Sequence, residues 1–89
     1  MEYSMPAVKI FACTQSTELA SKIAQEYGIE LGKIIFSHFS DGEFQPSFEE
    51  SVRGTRVFLI GSTQPSSENL MEMLLMIDAA KRASAKHIT

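Results

Sequence analysis

The sequence predicts an α/β protein, and three observations carry that expectation. Two short β-branched and aromatic runs, 8–12 and 56–62, alternate with segments whose apolar residues recur at helical spacing. Between the first helix and the second run lie two strand-like stretches separated by Asp41-Gly42, the kind of dipeptide that favours a two-residue hairpin. The resulting order, strand, helix, hairpin, strand, helix, belongs to a layered α/β architecture.

The elements follow in chain order. "VKIFA", 8–12, is compact, β-branched and aromatic, and reads as a first strand. From Thr17 to Tyr27, Leu19, Ala20, Ile23, Ala24 and Tyr27 draw one apolar stripe, which predicts an amphipathic helix lying on a sheet. Ser16 suits its N-cap and Gly28 its C-terminal stop. Residues 33–39 and 43–48 form the hairpin, and Pro46, lacking an N–H, suits an edge strand. "ESVRG" connects it to "RVFLIGS", 56–62, whose near-continuous apolar character predicts a strand covered on both faces. "TQPSSEN" is a polar loop in which Ser66 or Ser67 can cap the next helix, about 68–83. That helix is apolar nearly all round, which predicts burial on more than one side. "HIT" at 87–89 looks like the start of a further strand, so the chain reads as cut off within its domain.

The totals narrow the function classes. With 89 residues the chain holds at most one domain, one too small to bury a generous core and so helped by a partner. A net charge of −3 without a basic cluster argues against nucleic acid as the partner. One cysteine, Cys13, gives no internal disulfide and suits a reducing cytoplasm, and it reads as a small buried hydrophobe rather than a nucleophile. The N-terminus lacks a basic region followed by an apolar core, and the longest apolar run is interrupted by Glu72 and Asp78. Neither a signal peptide nor a membrane span is expected.

Three constellations could carry chemistry. Asp41-Gly42 is first of all a turn. Phe39 and Glu43 flank it, however, and an aromatic face can stack on a base while a carboxylate accepts from an amine or hydroxyl. "GSTQPSSEN" follows an apolar strand and leads into a helix, where ligands of open sheets gather, but a loop with ordinary N-capping is the better reading. There is no GxxxxGK[ST] phosphate loop. Ser51 and Arg53, with Ser84 after the second helix, would bind a phosphate only if the fold united them. Arginine supplies a fork of donors and serine a hydroxyl. His38 and His87 lack metal-ligand spacing, and His38 reads as a strand surface residue.

Taken together, "KIFACTQSTELASKIA", "FSDGE", "ESVRG", "VFLIGST" and "NLMEMLLMIDAAKRASAKHIT" resemble, in order and spacing from Val8 onward, the ribose-phosphate pyrophosphokinases. The resemblance implies a three-layer, phosphoribosyltransferase-like N-terminal domain with a protruding hairpin. Residues 1–89 would be its truncated first half, with the rest of that domain and a C-terminal domain absent. It implies Mg²⁺-dependent transfer of the diphosphoryl group of ATP to the 1-hydroxyl of ribose 5-phosphate, giving phosphoribosyl pyrophosphate and AMP in a cytoplasmic homo-oligomer, a hexamer in the family.

Carried over by position, Phe39, Asp41 and Glu43 match the family's ATP-binding hairpin, which reaches a neighbouring subunit. Ser51, Arg53, Ala83 and Ser84 match a regulatory site for phosphate or ADP. Nothing in the sequence corresponds to the family's catalytic loop, metal-binding histidine or sugar-phosphate loops, so metal ligands and catalytic residues are expected outside this chain. His38 stands where many members carry Arg or Lys. A noncatalytic regulatory relative is the alternative reading, and the retained Phe39, Asp41 and Glu43 favour the enzyme.

Overall fold

The computed structural model describes residues 7–38, 44–62 and 67–89, apart from the side chains of Phe44 and Ser67. Strand β1 (Val8–Ala12) is followed by a 3₁₀ turn at Thr14–Ser16 and helix α1 (Thr17–Tyr27). The hairpin strands are β2 (Ile34–His38) and β3 (Phe44–Phe48). Then come β4 (Arg56–Ile60), α2 (Ser67–Arg82) and β5 (His87–Ile88). Every strand and helix expected from the sequence has a counterpart, including the strand at "HIT", while the expected turn at Asp41-Gly42 lies outside the described residues.

Two sheets result. β1, β4 and β5 form a parallel sheet with β4 in the middle, in the register Phe11↔Leu59 and Val57↔Ile88. β2 and β3 form a separate antiparallel ribbon, in the register Ile34↔Phe48 and Phe36↔Pro46. Among the described strands β3 pairs with β2 alone, so the missing N–H of Pro46 breaks no interior ladder.

Alternation along the strands sorts the core. Phe11 and Cys13 share a cluster with Val57, Leu59, Val52 and Met76, joined by Phe48, Met73 and Ile77. Ile10 and Ala12 are also buried but point to the other face of β1, on which α1 packs through the buried Ala20 and Ala24. At the centre, the Cys13 Sγ lies 3.5 Å from the Met76 Sδ. Burial, reinforced by the Glu72 carboxylate, pushes the Cys13 thiol up to about 11, which makes it the inert, packed cysteine expected.

Within this chain three expectations about packing are met only in part. On α1 the stripe is only half used: the alanines are buried while Leu19, Ile23 and Tyr27 stay exposed. The small alanine side chains let the helix settle close on the sheet, and the larger residues fall to one side. On β4, Val57 and Leu59 are buried but Phe58 and Ile60 are half-buried, so its two faces are covered unequally. Helix α2 buries one face, through Asn69, Met76 and Ala80, and exposes Leu70, Met71 and Leu74. At the start of α1, Ser16 makes no side-chain capping bond. Instead its N–H donates to the Cys13 carbonyl at 2.9 Å within the 3₁₀ turn. Gly28 does stop the helix in the left-handed region, at φ +90°, its N–H shared between the Ala24 and Gln25 carbonyls.

Candidate functional site

The β3–β4 connection is a tight turn pinned at its centre. Val52 is buried to 1% exposure, and its carbonyl accepts both the Thr55 N–H at 3.1 Å and the Thr55 hydroxyl at 2.7 Å. This leaves Arg53 and Gly54 at the exposed apex, with Gly54 at φ +71°, a value that favours glycine. The Ser51 hydroxyl accepts the Arg53 N–H at a long 3.4 Å.

The end of α2 meets this turn. The Ala85 N–H donates to the Ala80 carbonyl and the Ser84 N–H to the Lys81 carbonyl, each at 3.1 Å, the paired bonds of a Schellman cap. Such a cap needs a left-handed residue, and Ser84 takes that place at φ +63° where glycine is usual. The Ser84 carbonyl then accepts the Gly54 N–H at 2.8 Å, and the Thr55 carbonyl accepts the Lys86 N–H at 2.7 Å. Ser51, Arg53, Ala83 and Ser84 are thereby drawn to one exposed junction, although some thirty residues of chain separate the two pairs.

Basic residues neighbour the junction in the chain. Lys81, Arg82 and Lys86 flank Ala83 and Ser84 in sequence, and among the described residues no carboxylate pairs with the Arg53 guanidinium. Arg82 is engaged by Asp78, one turn back, at 2.9 Å. The carboxyl end of a helix carries partial negative charge, so an anion here would depend on Arg53 and the serine hydroxyls rather than on the helix.

The other predicted site residues, Phe39, Asp41 and Glu43, lie outside the described residues, as does the "TQPS" loop at 63–66. The two strands on either side of the first three are described, and His38 is an exposed residue at the end of β2, as expected. Beside the ribbon's base, at the carboxyl end of β1, opens a cleft of about 390 Å³ lined by Ala12, Thr17, Leu31, Lys33, Ile35 and Glu49 among others. Of the predicted site residues that are described, Ser51, Arg53, Ala83 and Ser84, none lines it.

Among the described residues no group of three or more His, Cys, Asp or Glu side chains is placed to hold a metal ion. The described part therefore does not fit the Mg²⁺ that the sequence resemblance implies, and no chemical step is assigned to a metal here. Nor, among the described residues, is any helix long and apolar enough to cross a membrane.

The family model for the N-terminal domain of ribose phosphate pyrophosphokinase matches residues 8–89. The chain belongs to the ribose-phosphate pyrophosphokinase family. A ribose-phosphate pyrophosphokinase of Porphyromonas gingivalis is 60% identical over 80 residues, covering 90% of this chain and 26% of that protein. Ribose-phosphate pyrophosphokinase 1 of Listeria monocytogenes is 57% identical over 88 residues, covering 98% of this chain and 28% of that protein. The crystal structure of phosphoribosylpyrophosphate synthetase from Mycobacterium smegmatis superposes with a TM-score of 0.83 at 38% identity, covering 92% of this chain and 28% of that one. The fold is therefore phosphoribosyltransferase-like, as in the N-terminal region of that synthetase, and the chain spans roughly a quarter of the length of these relatives.

Two features of this region escape a reading of residue types. The left-handed Ser84 has no signature of its own, since a serine after a basic helix end fits an ordinary loop. Glu50 is the other. Its carboxylate accepts the Lys9 ammonium through Oε1 and the Lys33 N–H at 3.0 Å through Oε2. The Lys9 hydrogen bond, then the Lys33 N–H, hold its pKa below the ordinary carboxylate value. One signal was available: a glutamate next to the hairpin with a lone lysine on the first strand.

Proposed function

We propose that this chain is the nucleotide-arm and effector-binding part of a ribose-phosphate diphosphokinase. The complete enzyme transfers the diphosphoryl group of ATP to the 1-hydroxyl of ribose 5-phosphate, giving phosphoribosyl pyrophosphate and AMP. Membership of the family, over residues 8–89, is the observation that carries this reading. Mg²⁺ and its ligands, and the groups that hold ribose 5-phosphate, belong to family regions that this chain does not cover. The active form is a cytoplasmic homo-oligomer, a hexamer as in the family.

Within the chain, Phe39, Asp41 and Glu43 receive ATP at the tip of the ribbon, the ring stacking on adenine. Ser51, Arg53, Ala83 and Ser84 form the junction that takes phosphate or ADP as effector. The hydrogen bond from Gly54 to Ser84 supports the second assignment, because it unites residues that chemistry requires to act together.

Kinetics of a full-length enzyme carrying this chain test both assignments. Phe39→Ala should raise KM for ATP by a factor equivalent to roughly 1–3 kcal/mol of base stacking. Arg53→Ala should blunt the response to phosphate and ADP while activity without effector persists. An unaltered ATP dependence removes Phe39 from the site, and an equal loss at every effector concentration removes Arg53. Residues 1–89 alone should form no phosphoribosyl pyrophosphate. Turnover by the isolated chain would overturn the division of labour.

A further inference from the structure

The hairpin ribbon is a lever, and its mounting is visible at its base. The Glu49 N–H donates to the Lys33 carbonyl at 2.9 Å, closing the ribbon just below the Ile34↔Phe48 pair. The Gly32 N–H donates to the Ile10 carbonyl at 2.7 Å, and the Phe48 ring meets the Phe11 ring edge-on at 4.6 Å. These contacts attach the ribbon to β1, but apolar packing alone is non-directional and leaves the angle of attachment loosely set. The Gly32 hydrogen bond fixes one point of the attachment, and Glu50 supplies a second, directional one. One of its oxygens accepts a hydrogen bond from the Lys9 ammonium on β1 and the other accepts the Lys33 N–H at the entrance to β2, while Glu50 itself lies two residues beyond β3. A single carboxylate thus joins the central sheet to both strands of the ribbon.

The geometry points to Glu50, held by Lys9, as a positioning residue that aims the nucleotide arm. This inference rests on the reading of the ribbon tip as an ATP site. Five strand residues extend about 17 Å. A tilt of about 5° at the base therefore moves the tip by roughly 1.5 Å, enough to weaken stacking on a base. Glutamine at 50 keeps an acceptor for the Lys33 N–H but loses the charge that holds Lys9. Methionine at 9 keeps the apolar stem and removes the ammonium. Both changes should loosen the aim without emptying the core.

The test is steady-state kinetics of a full-length enzyme carrying this chain, with Glu50→Gln, Lys9→Met, the double variant and Lys9→Arg. Either single change should raise KM for ATP about three- to five-fold, with kcat and KM for ribose 5-phosphate nearly unaltered. The double variant should be no worse than the singles, and Lys9→Arg should restore the ATP dependence. An unaltered KM for ATP in both singles overturns the inference. So does a fall in kcat with both KM values unchanged, since that reports only less folded enzyme. Phe39→Ala, measured in parallel, separates the two levels. If it raises KM for ATP while Glu50→Gln does not, the mounting role fails alone; if it has no effect, the arm reading fails and the mounting role with it.

Discussion

Ser84 shows how one residue can be held against its backbone preference. A non-glycine residue in the left-handed region costs roughly 1–2 kcal/mol relative to glycine, and the Schellman cap of α2 requires that conformation at this position. Strain of this kind is often kept where a side chain has work to do, and the Ser84 hydroxyl stands at the junction with Arg53. Ser84→Gly should therefore relieve the backbone and delete the hydroxyl together. Thermal melting should show a stabilisation of about 1 kcal/mol, and phosphate activation of the full-length enzyme should weaken. A variant that melts no higher would show that the left-handed serine stores no strain. One that is stabilised but responds normally to phosphate would remove the hydroxyl from the effector site.

At the scale of elements, the ribbon and the sheet meet through a close backbone approach at Gly32. A Cβ there would lie 2.5 Å from the Cε1 of Phe11, a ring that is fully buried and already packed against Phe48. Gly32→Ala must push that ring or the 31–33 segment aside, which should cost about 1–3 kcal/mol. The measurement is a denaturation midpoint for Gly32→Ala beside Gly28→Ala. At Gly28 the space is open and the left-handed backbone alone is penalised. Equal losses would mean that the Phe11 contact is soft.

The same elements mark how far the sequence could be read. Strand and helix positions were legible because periodicity and turn chemistry are local: "VKIFA", the Gly28 stop and the strands around Asp41-Gly42 follow from neighbours in the chain. Which part of an apolar stripe faces the core was not legible. Leu19 and Ala20 score alike as apolar, and only the proximity of the sheet selects the alanine. The meeting of Arg53 with Ser84 was legible only by resemblance, since a hydrogen bond between Gly54 and Ser84 leaves no trace in the spacing of residues so far apart. Glu50 was missed because a glutamate in a polar connection looks like a solvated residue.

At the scale of the whole molecule, the Glu50 contacts couple folding to pH. The carboxylate is held below its ordinary value of 4.5, first by the Lys9 hydrogen bond and then by the Lys33 N–H. The folded state thus binds this proton more weakly than the unfolded chain does. Its contribution is fully present above the unfolded value and is lost as pH falls through the folded one. Both side chains of the Lys9–Glu50 pair remain 30% exposed, so solvent screens the pair and the neutral-pH contribution should be no more than about 1 kcal/mol. Urea midpoints of the chain and of Glu50→Gln, measured from pH 7 downwards, should differ by that amount at neutrality. The two curves should converge below pH 4.5 as Glu50 takes up its proton and the wild-type chain comes to resemble the variant. A gap that persists undiminished at low pH would mean that the glutamine fails through shape rather than charge, and the ion pair would then contribute nothing measurable to holding ribbon and sheet together.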